Sequence, residues 1–135
     1  MDLTALGRHI AAHYGRIGEQ PRAGIVELMD LEIGAEGGLW RVYDTERGRT
    51  THVHLETPSE AEACARFLEI TDARAYLLER FVASADADQL EAILETAGLW
   101  RWRNDLPASM GVDERYRVFV RGRDLPRARA LLAAR

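Results

Sequence analysis

The segment from Gly38 to Leu68 restricts the fold more than any other stretch of this chain, because its local signals agree with one another. Trp40 and Val42 alternate with Arg41 and Tyr43, the period of a half-buried strand. Glu46-Arg47-Gly48 supplies a turn in which the glycine is free to take positive φ. Thr51, Val53 and Leu55 then alternate with His52 and His54 along a second strand. Thr57-Pro58-Ser59-Glu60 reads as a capping box with proline at the first helical position: the threonine hydroxyl accepts from the third amide and the glutamate reaches back. The expectation is strand, tight turn, strand and capped helix.

The flanks extend this pattern. Leu3, Leu6, Ile10, Tyr14 and Ile17 recur at helical spacing and predict a helix over residues 2–17, ended by Gly18 and Pro21. A single strand is expected over 23–33, with Met29, Leu31 and Ile33 on one face. After the cap, Ala61, Cys64, Ala65 and Leu68 form a helical stripe. Thr71-Asp72 offers a second cap for Ala73, Tyr76, Leu77 and Phe81, so 58–83 holds one bent helix or two. A further helix is expected over 88–96, with Ala97-Gly98 as its stop. Residues 99–103 and 116–120 read as strands joined by a loop, and Asp124 caps a last helix over 125–134. The predicted order is α-β-β-β-α-(α)-α-β-β-α: an α+β fold, an antiparallel β-meander with helices packed on one face. One domain over residues 1–135 is expected, within which 86–135 either extends the same sheet or forms a sub-lobe.

Composition bears on function class. Apolar residues make up 47% and charged residues 30%, the profile of a soluble globular protein. No apolar run approaches the roughly 20 residues of a membrane span. The N-terminus lacks the basic start and uninterrupted apolar core of a signal peptide. A cytoplasmic protein without membrane contact is the expectation. All 18 basic residues are arginine, which suggests GC-rich coding rather than a physical adaptation. The net charge of −4 argues against a general nucleic-acid binder, which needs a basic face. Cys64 is the only cysteine, so an intrachain disulfide and a cysteine-rich zinc site are both excluded.

His52 and His54 lie two apart on a strand, and His9 and His13 lie four apart on the first helix, spacings at which a metal could bridge each pair. No H-E-x-x-H pattern or acidic triad accompanies them. If Val53 and Leu55 face the core, both strand histidines point outward, so no metal is expected. The chain has no G-x-S-x-G elbow, P-loop or G-x-G-x-x-G, and Glu56, Glu60, Glu62 and Glu69 read as helix-terminal or solvated carboxylates. Neither a cofactor nor catalysis is expected. Trp100 and Trp102 share one face of a short strand and Arg101 and Arg103 the other. Tryptophan and arginine are enriched at interface hot spots, yet the reading places both tryptophans, like Trp40, in the core and leaves the arginines as a contact surface.

The run Trp40-Arg41-Val42-Tyr43-Asp44-Thr45-Glu46-Arg47-Gly48, followed by Glu60 to Leu68, EAEACARFL, resembles a family of bacterial immunity proteins. These accompany secreted polymorphic toxins, including relatives of the tuberculosis necrotizing toxin, an NAD-hydrolysing enzyme. Asp44 stands where the family pattern carries a second aromatic. The resemblance implies that the partner is a cognate toxin domain, bound so that its active site is occluded. On expected exposure, the contact residues are Asp44, Glu46, Arg47, Arg49, His52 and His54 on the hairpin, then Arg101, Arg103 and Asp105. The alternative reading is a small regulatory or ligand-binding module, with Tyr116–Val120 and the last helix framing a pocket or dimer interface.

Overall fold

The computed structural model describes residues 1–15 and 24–135. Within them the chain forms two compact units, Met1–Thr71 and Asp72–Arg135. The α+β class and the antiparallel meander are both present.

The first unit opens with α1, Leu3–Tyr14. Asp2 caps it, its carboxylate accepting from the Ala5 amide at 2.8 Å, and Leu6, Ile10 and Tyr14 are its buried stripe. The helix ends at Tyr14, ahead of Gly15 at φ 61°. The expected continuation to Ile17, the stop at Gly18 and Pro21 and the strand start at Ala23 lie outside the described residues.

The single strand expected over 23–33 is two strands, β1 (Ile25–Leu28) and β2 (Leu31–Glu36), folded back on each other. Met29 makes the reversal at φ 55° and is exposed in the turn rather than sharing the core face of Leu31 and Ile33. A left-handed methionine costs roughly 1–2 kcal/mol, which pairing and burial of Leu28 and Leu31 offset. β3 (Leu39–Glu46) and β4 (Arg49–Thr57) complete a meander in the order β1-β2-β3-β4. Val26, Ile33, Val42 and Leu55 stand side by side across it, and the first three are buried. Helix α1 lies against β1, with Gly7 approaching Val26.

Helix α2, Glu60–Ala73, starts two residues later than the capping-box reading places it. Ser59 is the cap: its hydroxyl accepts from the Glu62 amide at 3.1 Å. The Thr57 hydroxyl accepts from the Ser59 amide at 3.1 Å and donates to the Glu62 carboxylate at 2.9 Å. Glu60 does not reach back; it accepts from the Leu3 amide at the start of α1, at 2.7 Å.

The second unit corrects the predicted order. Residues 75–81, read as helix, form strand β5 (Ala75–Phe81). A register shift between Leu77 and Glu79 adds one residue, so Tyr76 and Phe81 are both buried although five positions apart. The odd spacing breaks the strand period, while Leu77 and Phe81, four apart, read as helical neighbours. Helix α3 (Ser84–Thr96) follows and ends as expected at Gly98, with Leu99 and Gly98 amides donating to Leu94 and Glu95 carbonyls in a Schellman arrangement. Strands β6 (Arg101–Asp105) and β7 (Tyr116–Arg121) precede α4 (Leu125–Ala134), before which Asp124 makes no side-chain capping bond.

Strand β7 lies between β5 and β6, antiparallel to both. β5 and β6 therefore run parallel, joined by α3, as a split β-α-β unit. This pairing sets the unit boundary near residue 72 and not near 86, because β5 finds its partner in β7.

Two measurements probe these elements. Ser59→Ala should lower stability by about 1 kcal/mol in urea unfolding, with the denaturant slope unchanged. Burial raises the Tyr76 phenol from its ordinary value near 10 to about 12. The folded state holds that proton more tightly than the unfolded chain, so this contribution is complete below pH 10 and is lost as pH rises towards about 12. Tyr76→Phe should flatten that alkaline limb, which no lysine obscures in this chain.

Candidate functional site

The predicted contact residues divide between the units. Asp44, Glu46, Arg47, Arg49, His52 and His54 belong to the β3–β4 hairpin, and Arg101, Arg103 and Asp105 to β6. The hairpin closes through Arg47 at φ 51° and Gly48 at φ 79°, with Glu46 facing Arg49. Positive φ at both turn residues is the type I′ geometry, whose twist matches that of the strands. Glu46, Arg47 and Arg49 are exposed and, with Thr51, line an open hollow of about 500 Å³. Thr51 donates to the Asp44 carbonyl at 3.4 Å, whereas among the described residues no hydrogen bond or ion pair engages the side chains of Glu46, Arg47 or Arg49.

Below the tip, β4 carries two irregularities. Tyr43 pairs with Val53 while Val42 pairs with Leu55, which leaves His54 as an inserted residue; Thr51 is inserted in the same way. Alternation breaks at His54, and the two histidines part company. His52 is exposed, whereas the His54 side chain retains 15% exposure and its Nε2 lies 2.7 Å from Asp44 Oδ2. The rings meet edge to face with centroids 4.5 Å apart. The expectation that both histidines point outward thus holds for His52 and is corrected at His54 by the bulge. Chemically, Asp44 fixes the orientation of the His54 imidazole and forms an ion pair with it when the ring is protonated. Among the described residues no group of three or more His, Cys, Asp or Glu is arranged to hold a metal. His9 and His13 stack with centroids 5.2 Å apart.

On β6 the two faces are the reverse of the expectation. Register pairs Arg101 with Val120 and Arg103 with Val118, both valines fully buried, so the arginines project towards α3. Arg103 donates to Ser84 Oγ at 2.8 Å, Asp105 Oδ1 at 2.8 Å, Glu91 Oε2 at 3.3 Å, and also to Asp88. The Asp105 hydrogen bond, then those to Asp88 and Glu91, raise its pKa against the opposing cost of desolvation. Arg101 pairs with Glu95 at 3.3 Å. Arg103 and Asp105 are thus bound into the unit and are not a free contact surface. Trp100 and Trp102, expected in the core, are 40% and 48% exposed on the opposite face. Trp40 is half-buried.

Sequence reasoning misses this exposed face because LWRWR fits either orientation by hydrophobic alternation. The available signal is on α3, where Asp88 and Glu91 are one helical turn apart and offer acceptors to an inward arginine. The pocket of the ligand-binding alternative is also placed differently. A hollow of about 380 Å³ is lined by Ala92, Ile93, Thr96, Ala97 and Leu131, from α3 and α4 and not from β7. The Cys64 thiol is buried, which pushes its pKa up and keeps it protonated and unreactive at neutral pH.

Compared with known proteins, the chain matches no family model, no curated protein and no solved structure.

Removing the Arg103 guanidinium would leave Asp88, Glu91 and Asp105 facing one another. Arg103→Ala should cost about 1–2 kcal/mol, the value of charged hydrogen bonds discounted for partial exposure. Added salt should recover part of the loss by screening the carboxylates, measured as the urea midpoint at two ionic strengths.

Proposed function

We propose that this chain is a stoichiometric inhibitor of a secreted bacterial toxin, of the immunity-protein kind that the Trp40–Gly48 and Glu60–Leu68 runs resemble. In this reading it acts in the cytoplasm, binds the toxin domain and covers the active site. The observation that carries the reading is the β3–β4 hairpin tip, where Glu46, Arg47 and Arg49 stand exposed on a type I′ turn closed by strand pairing, without intrachain partners among the described residues. A pre-ordered tip loses little conformational entropy on docking, and its charges speed encounter while rejecting mismatched partners. A standard interface takes about 800 Å² from each partner, roughly a tenth of the 8037 Å² this chain exposes.

The reading predicts a neighbouring gene for a large secreted protein with a C-terminal toxin domain. Co-expression should rescue bacteria from that domain, and the two purified proteins should form a one-to-one complex by size-exclusion chromatography with light scattering. Charge reversal at the tip, Arg47→Glu with Arg49→Glu, should weaken the complex at least tenfold, chiefly through the association rate. Failure of the wild-type chain to bind or neutralise the toxin domain would sink the reading.

A further inference from the structure

The β5-β7-β6 sheet presents a second face, turned away from α3 and α4. Val118 and Val120 of β7 point to the helix side and are fully buried, so Arg117, Phe119 and Arg121 point to the other. Register places Trp102 and Leu77 beside Phe119, Asn104 and Arg80 beside Arg117, and Ala75 beside Arg121. The Arg121 guanidinium lies 3.9 Å from the centroid of the Trp100 ring, and Arg117 lies 5.5 Å from that of Phe119. Trp102 and Phe119 rings meet at 4.8 Å. None of these paired positions holds a carboxylate, so Arg80, Arg117 and Arg121 give the face three positive charges in a chain of net −4. Arg117 Nε has no acceptor among the described residues.

We infer that this face, in addition to the β3–β4 tip, docks against the toxin domain and takes an acidic patch on it with apolar side chains at its centre. The inference rests on the inhibitor reading and names the chemistry of its partner. Trp100 and Trp102 are the anchors, since large aromatic side chains left in water gain most from burial and dominate interface energetics. The arginines already lying over the rings are pre-positioned, Arg121 also by donating to the Ala73 carbonyl at 2.6 Å, and a guanidinium meets carboxylates in fixed fork geometry. Charge also selects among occupants. A second copy of this face would set arginine against arginine. A single-stranded nucleic acid would need open ring faces for stacking, and Arg121 covers one side of Trp100.

The test is isothermal titration calorimetry of the full chain with the toxin domain encoded by the adjacent gene. Trp102→Ala and Arg117→Glu alter exposed or half-exposed positions, and circular dichroism and thermal melts check their folding. The inference expects wild-type binding and a loss of roughly 30-fold or more in each variant, with a weaker salt dependence for Arg117→Glu. If the tryptophan variant fails to fold, Arg117→Glu decides. Wild-type binding with both folded variants unchanged would overturn the inference while leaving the inhibitor reading intact. No binding by the wild type would overturn both. Binding of a fluorescein-labelled single-stranded RNA that Trp102→Ala abolishes would assign the face to a nucleic acid and overturn the inference.

Discussion

Strand β7 must satisfy backbone hydrogen bonds along both its edges, and the second unit is organised by that requirement. It draws β5 and β6 to opposite sides, which forces the intervening α3 to cross over and separates the two parallel strands. Its side-chain alternation then assigns every neighbour to a face. Valines go to the helix side with Arg101 and Arg103; Phe119, Arg117 and Arg121 go to the open side with the tryptophans. A one-residue slip of β7 would exchange these sets, exposing the valines and burying the arginines. The buried valines make the observed register the favoured one, and the ion network around Arg103 adds to that preference.

Legibility in the sequence follows how local each determinant is. The β3–β4 hairpin is readable because its turn chemistry and its alternation both lie within a few residues of each other. The α3 stop at Gly98 is readable because only the left-handed residue and its neighbours are needed. The Met29 reversal is not readable: neither Met29 nor Asp30 is glycine, and pairing between β1 and β2 imposes the positive φ. Strand β5 is concealed by its own bulge, which puts Tyr76 and Phe81 an odd number of positions apart and so breaks the period of two, and only the distant β7 makes it a strand. The cap of α2 moves from Thr57 to Ser59 because both carry hydroxyls, and the choice depends on how Thr57 itself is buried.

The candidate site shows the same division. Exposure of Glu46, Arg47 and Arg49 follows from a turn that the sequence announces. The pairing of Asp44 with His54 depends on an inserted residue that no period predicts. Arginine and tryptophan exchange places on β6 because three carboxylates and a serine make the helix side hospitable to a guanidinium. Hydrophobicity alone ranks the residues the other way. A guanidinium held by four hydrogen bonds, as that of Arg103 is, can be partly buried, and the indoles are left half in water.

The hydrogen bond from the Leu3 amide to Glu60 joins positions 57 residues apart. The start of α1 is thus held by a side chain synthesised long after it. During synthesis the first helix emerges with its Asp2 cap in place but with the Leu3 amide unpaired, and that amide acquires its partner only when the whole meander and the start of α2 have left the ribosome. This one contact of the first unit is therefore non-local, completed only after about fifty further residues are in place.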